Sequence, residues 1–311
     1  MSVADTLRIS VNEVCMRDGL QMEPVFVPTD DKVRLIDALS RTGLRKIEVT
    51  SFTSAKAIPA LRDAEEVMGR IERVPGVVYS ALVLNGRGAQ RALESRADEL
   101  NLVLSASDTH SLCNTRMSTR QALDGLREVA GLAAGHCRIN VSVATAFGCP
   151  MEGAIDPARV LGIADEFVTL GVQGVSLCDT TGMANPAQVR SLCEGLHQRW
   201  PGVELSLHMH NTRGMGLANV LAGIQAGVSS FDGALGGLGG CPYAPGASGN
   251  VCTEDLVHML AAMGLDVGID LQALLSCAGV LQSLVGHEVP GQVLKAGAWD
   301  RRHAAPEMAP R

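Results

Sequence analysis

The sequence predicts an α/β fold, a (β/α)8 or TIM barrel with extra C-terminal helices, on three observations. Eight short runs rich in β-branched residues alternate with longer amphipathic stretches along nearly the whole chain. Strands that alternate with helices form a parallel sheet with both faces covered. Eight such units without a break in composition favour closure into a barrel. The alternative is an open doubly wound sheet, but no G-x-G-x-x-G follows the first run to support it.

The eight runs are the predicted strands. They cover residues 8–14, 46–52, 77–83, 99–105, 138–145, 174–179, 204–210 and 228–235. Apolar residues at helical spacing predict helices, among them 30–43, 118–134 and 156–171, with two more inside 252–295. We expect residues 1–294 to form one barrel domain that includes the C-terminal helices, and residues 295–311, which show no apolar period, to form a flexible tail.

Composition excludes several classes of protein. The 311 residues are 46% hydrophobic, which is incompatible with a disordered chain, and no run reaches the ~18 apolar residues of a membrane span. A net charge of −7 and only nine aromatic residues give no surface suited to nucleic acid. The first ten residues do not read as a secretory signal, so we expect a cytoplasmic protein. The nine cysteines form no C-x-x-C pair and indicate neither a zinc ribbon nor a disulfide scaffold.

Polar side chains recur where the predicted strands end. In a parallel barrel, the C-terminal strand ends carry the active site. Any single polar residue there has a plain explanation, since loops are solvated, but the recurrence over several strands favours a functional site. The candidates are Arg17, Asp18, Glu48, Ser105, Asp179, His208, His210 and Asn250.

The sharpest local signal is His208-Met209-His210. Residues i and i+2 of a strand point to the same face, so both imidazoles converge if this segment is a strand. Two neutral imidazoles form half of a site for a divalent cation, and Asp18 and Asn250 offer oxygen ligands. This mixed set suits Mg²⁺ or Mn²⁺ better than a closed zinc site. The alternative is a pair of ordinary histidines.

A second signal is the glycine-rich segment 233–250, which contains Cys241. A flexible loop with one acidic or nucleophilic side chain is typical of a lid that closes a site and excludes water. The alternative is a surface connection with an incidental cysteine.

Five segments together resemble the 3-hydroxy-3-methylglutaryl-CoA (HMG-CoA) lyase family, in order and in spacing, from about residue 8 to about residue 285. The glycine-rich cysteine loop is specific to the lyases, whereas R-D-G-x-Q, the glutamate of the second strand and H-x-H are shared with related synthase and pyruvate carboxylase barrels. The segments are E-V-x-x-R-D-G-L-Q (13–21), I-E-V-T-S-F (47–52), S-L-C-D-T-T-G (176–182), H-M-H-N-T (208–212) and G-G-L-G-G-C-P-Y-A-P-G-A-S-G-N (236–250).

The resemblance implies a metal-dependent cleavage of HMG-CoA, an acyl-CoA substrate, into acetyl-CoA and acetoacetate, a ketone body, in leucine breakdown. It implies that Arg17 lies over the thioester carbonyl, that Glu48 orients Arg17 and that Asp179 lies near the substrate. The hydroxyl proton would go to Asp18 or His208, and Cys241 or water would protonate the enolate carbon. The implied metal ligands are Asp18, His208, His210 and Asn250. The implied pocket residues are Gln21, Asn114, Ser176 and Thr180.

Some positions depart from the mitochondrial-type lyases and leave the acyl group open. Ser142 stands where an aromatic residue is usual and leaves space for substrate, and Arg213 is placed to add a carboxylate contact. One alternative is therefore a lyase for a related 3-hydroxyacyl-CoA with a different acyl branch. A separate alternative is a non-catalytic barrel used for ligand binding. Zinc is a possible bound ion, since its affinity for such sites is high. The apolar helices after residue 252 exceed what barrel closure needs and predict a homodimer or a larger homo-oligomer.

Overall fold

The computed structural model describes residues 9–240, 249–265, 267–302 and 304. Eight parallel strands form a closed barrel in chain order, with the last strand paired to the first. The predicted (β/α)8 barrel is confirmed, and each observed strand lies within the range predicted for it. The strands are β1 Ser10–Glu13, β2 Lys46–Ser51, β3 Val78–Val83, β4 Glu99–Ser105, β5 Arg138–Ala144, β6 Gly174–Asp179, β7 Glu204–Met209 and β8 Ser230–Gly233.

Helices surround the barrel and extend beyond its last strand. The described helices are α1 Thr29–Leu39, α2 Ala64–Arg70, α3 Gly86–Glu94, α4 Asp108–Thr115, α5 Thr119–Ala133, α6 Pro157–Thr169, α7 Pro186–Arg199, α8 Gly216–Gln225, α9 Thr253–Ala262, α10 Leu271–Val285 and α11 Gln292–Ala296. Helix α5 illustrates why these segments are helical. Ser118 and Gln121 form a reciprocal capping box at its start, and Leu123, Leu126 and Val129 bury one face against the barrel.

The boundary expected at residue 294 falls inside α11, which continues to Ala296. The chain then stays in contact with α9, because the backbone N–H of Trp299 donates to Nε2 of His258 at 3.0 Å. The start of the expected tail is therefore attached to α9 by this hydrogen bond, although Trp299 itself is exposed. Residues 303 and 305–311 lie outside the described residues.

The middle of the barrel is polar, whereas the interior of this fold is commonly filled by branched apolar side chains. Nδ2 of Asn140 donates to Oδ1 of Asn101 and to Oγ of Ser176, each at 3.0 Å. Ser176 in turn hydrogen-bonds Ser206 on the next strand. This layer lies below the strand ends, and its hydrogen bonds tie β4, β5, β6 and β7 together under the site.

No helix in the described part of the chain is both long enough and apolar enough to cross a bilayer.

Candidate active site

The C-terminal ends of the strands open into one pocket whose walls differ in character. The turn after β1, the end of β7 and strand β8 contribute charged groups and imidazoles, while the ends of β3, β4 and β5 contribute small or branched side chains that are mostly apolar. The residues that line it are Arg17, Asp18, Gln21, Thr53, Ile58, Leu82, Leu84, Val103, His110, Asn114, Ser142, Ala144, Cys178, Thr180, His208, His210, Asp232 and Gly240.

Arg17 and Asp18 lie on a single π-helical turn, Cys15–Gly19, directly after β1. Such turns are rare and occur frequently at functional sites. The turn begins where the N–H of Cys15 donates to Oε1 of Glu13 at 2.7 Å. It ends at Gly19, where an added Cβ would lie 2.7 Å from Sγ of Cys15. A larger residue at position 19 would therefore have to displace the side chain of Cys15.

Arg17 is buried and bound to two carboxylates. Its Nε donates to Oε2 of Glu48 and its Nη1 donates to Oδ1 of Asp18, each at 2.5 Å. Burial acts against the charge of Arg17, but the two carboxylates outweigh it and raise the pKa of the guanidinium further above its ordinary value. Glu48 is itself held by Nδ2 of Asn101 at 2.7 Å from its Oε1. The result is a fixed, permanently charged guanidinium at the pocket floor.

Asp18, His208 and His210 form a compact group of possible metal ligands, with all three donor atoms within 4.8 Å of one another. Oδ2 of Asp18 lies 3.8 Å from Nε2 of His208 and 4.0 Å from Nε2 of His210. The two Nε2 atoms are 3.2 Å apart. One carboxylate oxygen from the partly buried Asp18 and two imidazole nitrogens from buried histidines are a donor set suited to a divalent cation.

The protonation of Asp18 and His210 fits a cation site, whereas the raised pKa of His208 favours its charged form. Burial opposes the ionisation of Asp18, yet Arg17 and the histidines outweigh it and hold the pKa of the carboxyl below its ordinary value. Burial and the neighbouring His208 lower the pKa of His210 to about 3, so His210 is a neutral base. Burial acts to lower the pKa of His208 too, but Asp232 and Asp18 raise it above its ordinary value.

Asn250 lies beside this group and holds the carboxylate of Asp18. Its Nδ2 donates to Oδ2 of Asp18 at 2.6 Å and to the carbonyl of Leu238 at 2.8 Å. The amide nitrogen, not the oxygen, therefore faces Asp18, and a direct ligand role for Asn250 stays a prediction. The chain passes close here at Gly239, whose φ is +99° and where an added Cβ would lie 2.4 Å from Nδ2 of Asn250.

The other predicted residues divide between the pocket and its surroundings. Gln21, Asn114, Ser142 and Thr180 line the pocket. Ser176 lies in the polar layer of the barrel interior, below the pocket.

Arg213 and Asp179 are engaged in loop structure around the pocket. Nη1 of Arg213 donates to the carbonyls of Thr181 and Gly182, at 3.0 and 2.7 Å, so this nitrogen is used by the loop after β6. Oδ1 of Asp179 accepts from the backbone N–H groups of the same loop. Burial raises the pKa of Asp179 to about 6, and its Oδ2 has no hydrogen-bond partner among the described residues.

The structure adds two residues that sequence reasoning missed. Asp232 lies opposite His208 in the β7–β8 register, with its Oδ2 3.2 Å from Nδ1 of the imidazole. His110, on α4, is buried in the pocket wall with its Nδ1 3.0 Å from Oγ of Ser105. The sequence could have indicated Asp232, because a charged residue in the middle of the last predicted strand is unusual. Cys241 lies outside the described residues.

The fold and the site together define a TIM-barrel enzyme with a candidate metal centre at the C-terminal ends of its strands. Residues 8–281 match the HMGL-like family, and the chain belongs to that family. It is a lyase-like enzyme, since the relatives below are acyl-CoA lyases by name.

Two curated relatives and one solved structure illustrate the likeness. The chain is 44% identical to a hydroxymethylglutaryl-CoA lyase of Bacillus subtilis, over 93% of this chain and 97% of the relative. It is 38% identical to the (R)-citramalyl-CoA lyase of Chloroflexus aurantiacus, over 93% of this chain and 95% of the relative. The structure of an HMG-CoA lyase from Acenitobacter baumannii in complex with coenzyme A and 3-methylmalate is 48% identical, with a TM-score of 0.93 over 98% of this chain and all of that one.

Proposed function

We propose that this protein is a carbon–carbon lyase that cleaves HMG-CoA into acetyl-CoA and acetoacetate and works with bound Mg²⁺ or Mn²⁺. The observation that carries the proposal is the juxtaposition, in one pocket, of an ion-paired arginine and a group of metal-binding side chains. Arg17 and Asp18 are adjacent on one turn, and the two histidines face Asp18 from β7. Close relatives with acyl-CoA lyase names support the reaction class.

Asp18, His208 and His210 are the residues that would hold the cation, with Asn250 next to them. When bound, a divalent cation lowers the pKa of a substrate hydroxyl and fixes the orientation of the substrate. Zinc binds such a set tightly without needing to be the working ion, because affinity order alone favours it over Mg²⁺.

The reaction needs a base at the substrate hydroxyl. Asp18, ionised beside Arg17, and His208 are the two candidates, and both lie in the pocket wall. Removal of the hydroxyl proton turns the hydroxyl-bearing carbon into a carbonyl and breaks its bond to C2 of the thioester. The electron pair of that bond moves into the thioester as an enolate.

Arg17 stabilises the enolate oxygen. A buried guanidinium that is already oriented by Glu48 needs no reorganisation when negative charge develops in front of it. The enolate carbon then takes up a proton to give acetyl-CoA. Cys241 or a water molecule is the donor in this proposal.

A second substrate class is supported by particular observations. The pocket wall on β5 carries Ser142, whose hydroxyl donates to Oδ1 of Asn101 at 2.8 Å, away from bulk solvent. Because serine is small, this part of the pocket wall leaves space for the acyl branch of a substrate. The relative named for (R)-citramalyl-CoA and the structure with 3-methylmalate also point beyond HMG-CoA. One alternative function is therefore cleavage of a 3-hydroxyacyl-CoA with a different acyl branch. The other is a non-catalytic barrel that binds such ligands without cleaving them.

The deciding experiment incubates metal-stripped protein with HMG-CoA, with and without Mg²⁺ or Mn²⁺, and measures acetoacetate and acetyl-CoA. We expect cleavage only with added metal, its loss on treatment with EDTA, and a His210→Gln variant that stays inactive with metal. His287→Gln, an exposed histidine next to Glu23, is the matched control and should behave as wild type. Citramalyl-CoA run in parallel identifies the second substrate class. Full activity in a sample shown to be metal-free by elemental analysis would contradict the mechanism.

We further propose that the enzyme serves leucine breakdown in the cytoplasm as a homodimer or larger homo-oligomer. Relatives named as cytoplasmic HMG-CoA lyases support the compartment; the one from Rattus norvegicus is 40% identical. Exposed apolar side chains on the C-terminal helices, such as Val280, support association. Light scattering that gives the monomer mass of 32.6 kDa at micromolar concentration would contradict the oligomer.

A further inference from the structure

Three side chains on neighbouring strands form a hydrogen-bonded row behind His208. Nδ1 of His208 lies 3.2 Å from Oδ2 of Asp232, and Oδ1 of Asp232 accepts from Nδ2 of Asn12 at 2.9 Å. The same amide nitrogen donates to Oγ of Ser230 at 3.0 Å. The barrel register places the three residues side by side, because Asp232 is paired with His208 across β7–β8 and with Asn12 across β1–β8.

The row determines which nitrogen of His208 carries the proton. An ionised carboxylate only accepts hydrogen bonds, so Nδ1 must be the N–H when it contacts Asp232. In the neutral ring the lone pair is then on Nε2, the atom that faces Asp18 and His210. His208 and Asn12 are both buried, and Asp232 between them is partly buried at the edge of the pocket.

Asn12 in turn determines the orientation of Asp232. Its amide nitrogen is a donor and therefore requires an acceptor at Oδ1 of Asp232. The second carboxylate oxygen is left for the imidazole. The row thus has one direction, with Asn12 donating to Asp232 and His208 donating to Asp232.

We propose that Asp232, held by Asn12, is a positioning residue that fixes the Nδ1–H form of His208 and so presents Nε2 to the cation, which makes His208 a ligand rather than the base at the substrate hydroxyl. The proposal rests on the metal site of the proposed function. Histidine ligands commonly donate their second nitrogen to a carboxylate, and loss of that partner costs about 10- to 100-fold in metal affinity or activity.

The test exchanges the amide and the carboxylate of the row. In Asp232→Asn, the donor of Asn12 still requires an oxygen at Oδ1, so the new NH₂ group turns towards Nδ1 of His208. The imidazole must then accept at Nδ1 and carry its proton on Nε2, where it blocks the cation. In the double variant, which adds Asn12→Asp, the amide nitrogen at position 232 donates to the carboxylate at position 12. The amide oxygen at position 232 then accepts from Nδ1 of His208, as the carboxylate does in the wild type.

Two measurements report on these variants without the catalytic assay. Titration with Mn²⁺ alone, followed by electron paramagnetic resonance, should show about 10- to 100-fold weaker binding for Asp232→Asn. The double variant should recover most of that loss. Nitrogen-15 NMR of the histidine rings, at alkaline pH and without metal, should show Nδ1–H in the wild type and double variant and Nε2–H in Asp232→Asn. Asp232→Ala, which imposes no tautomer, should bind Mn²⁺ better than Asp232→Asn does.

Thermal unfolding separates misfolding from the proposed effect, since the double variant contains the same groups as the wild type. Asp232→Asn that binds Mn²⁺ as the wild type does, or a double variant no better than the single one, would overturn the proposal. These outcomes are separable from the proposed function. A wild type that cleaves HMG-CoA while Asp232→Asn keeps its Mn²⁺ affinity removes only the positioning role. Mn²⁺ affinities that follow the expected order in a protein that cleaves no HMG-CoA remove only the function.

Discussion

Two buried glutamates on neighbouring strands, Glu48 on β2 and Glu13 on β1, have opposite surroundings. Glu48 contacts the guanidinium of Arg17 and the amide of Asn101. Glu13 accepts hydrogen bonds from the N–H groups of Cys15 and Leu235, at 2.7 and 2.9 Å, and from the hydroxyl of Thr253 at 2.7 Å. These three donors are neutral, whereas Glu48 faces a group that stays charged at any physiological pH.

The difference in partner gives the two acids different roles. Burial raises the pKa of Glu13 to about 8, so this carboxyl is mostly neutral at pH 7. Burial also raises the pKa of Glu48 above its ordinary value, although Arg17 and Asn101 oppose that rise. Glu13 acts as a clamp between the turn after β1, the segment after β8 and the start of α9, while Glu48 acts as the counter-ion of Arg17. Burial alone therefore does not define the role of an acid in this barrel; its partner does.

The largest effect should come from Arg17, the cation that distinguishes the two glutamates. Arg17→Gln should lower kcat by about 10²–10³-fold or more with little change in KM, because its charge matters most when the enolate forms. Arg17→Lys should recover part of the activity, since a point charge does not reproduce two directed hydrogen bonds. Steady-state kinetics with HMG-CoA measures both. A defect confined to KM would show that Arg17 only binds substrate.

Glu48→Gln should have the next largest effect. The amide keeps the shape of the side chain but removes the counter-ion of Arg17, and a hydrogen bond to a charged group contributes about 1.5–3 kcal/mol. If this free energy is lost from the transition state because Arg17 is less well oriented, kcat falls roughly 10- to 100-fold. Denaturant unfolding should show lower stability in the same variant. Wild-type kcat in Glu48→Gln would mean that Arg17 is oriented without Glu48.

Asp179 should behave as an intermediate case, buried like Glu13 and hydrogen-bonded to backbone N–H groups, but close to the pocket and to the charges of His208 and Arg213. Its pKa of about 6 means that it is ionised above pH 6 and protonated below. If the ionised form is needed, kcat/KM should fall about tenfold per pH unit below pH 6. Asp179→Asn should abolish this acid limb and lower the plateau. An acid limb that persists in Asp179→Asn would assign the titration to another group.

Glu13→Gln should have the smallest effect on rate, with kcat close to wild type, because its contacts are matched by an amide that donates to Thr253 and accepts from the two N–H groups. Its effect should appear in stability. A carboxyl whose pKa is raised from 4.5 to about 8 on folding contributes stability that is present below pH 4.5 and is lost as the pH rises to about 8. Melting temperatures across this range should fall less steeply in Glu13→Gln. Equal pH profiles for variant and wild type would show that Glu13 is ionised in the folded protein.

Much of the fold and the centre of the site could be predicted because they follow local rules. The alternation of strands and helices is a repeated local pattern, and the barrel followed from it. The convergence of His208 and His210 follows from the two-residue period of a strand. The place of Asp18 near the histidines was predictable because the C-terminal ends of all the strands lie at the same end of a parallel barrel.

What only the tertiary structure decided depends on register between strands that are distant in the chain. The contact of His208 with Asp232, and of Asp232 with Asn12, exists because the last strand pairs with the first at one particular offset. Likewise, Ser176 belongs to the interior layer because of its height along β6. A shift of one residue in any pairing would turn these side chains to the other face of the sheet.

By itself, then, the sequence determined the barrel, through a pattern repeated along the chain, and the candidate metal ligands and the arginine beside them, through short motifs at strand ends. The tertiary structure alone decided which acid is paired with a cation, which is clamped by neutral donors and which contacts a histidine. Those assignments depend on side-chain partners brought together by barrel closure, and the free energy of a buried charge is governed by its partner rather than by its place in the chain.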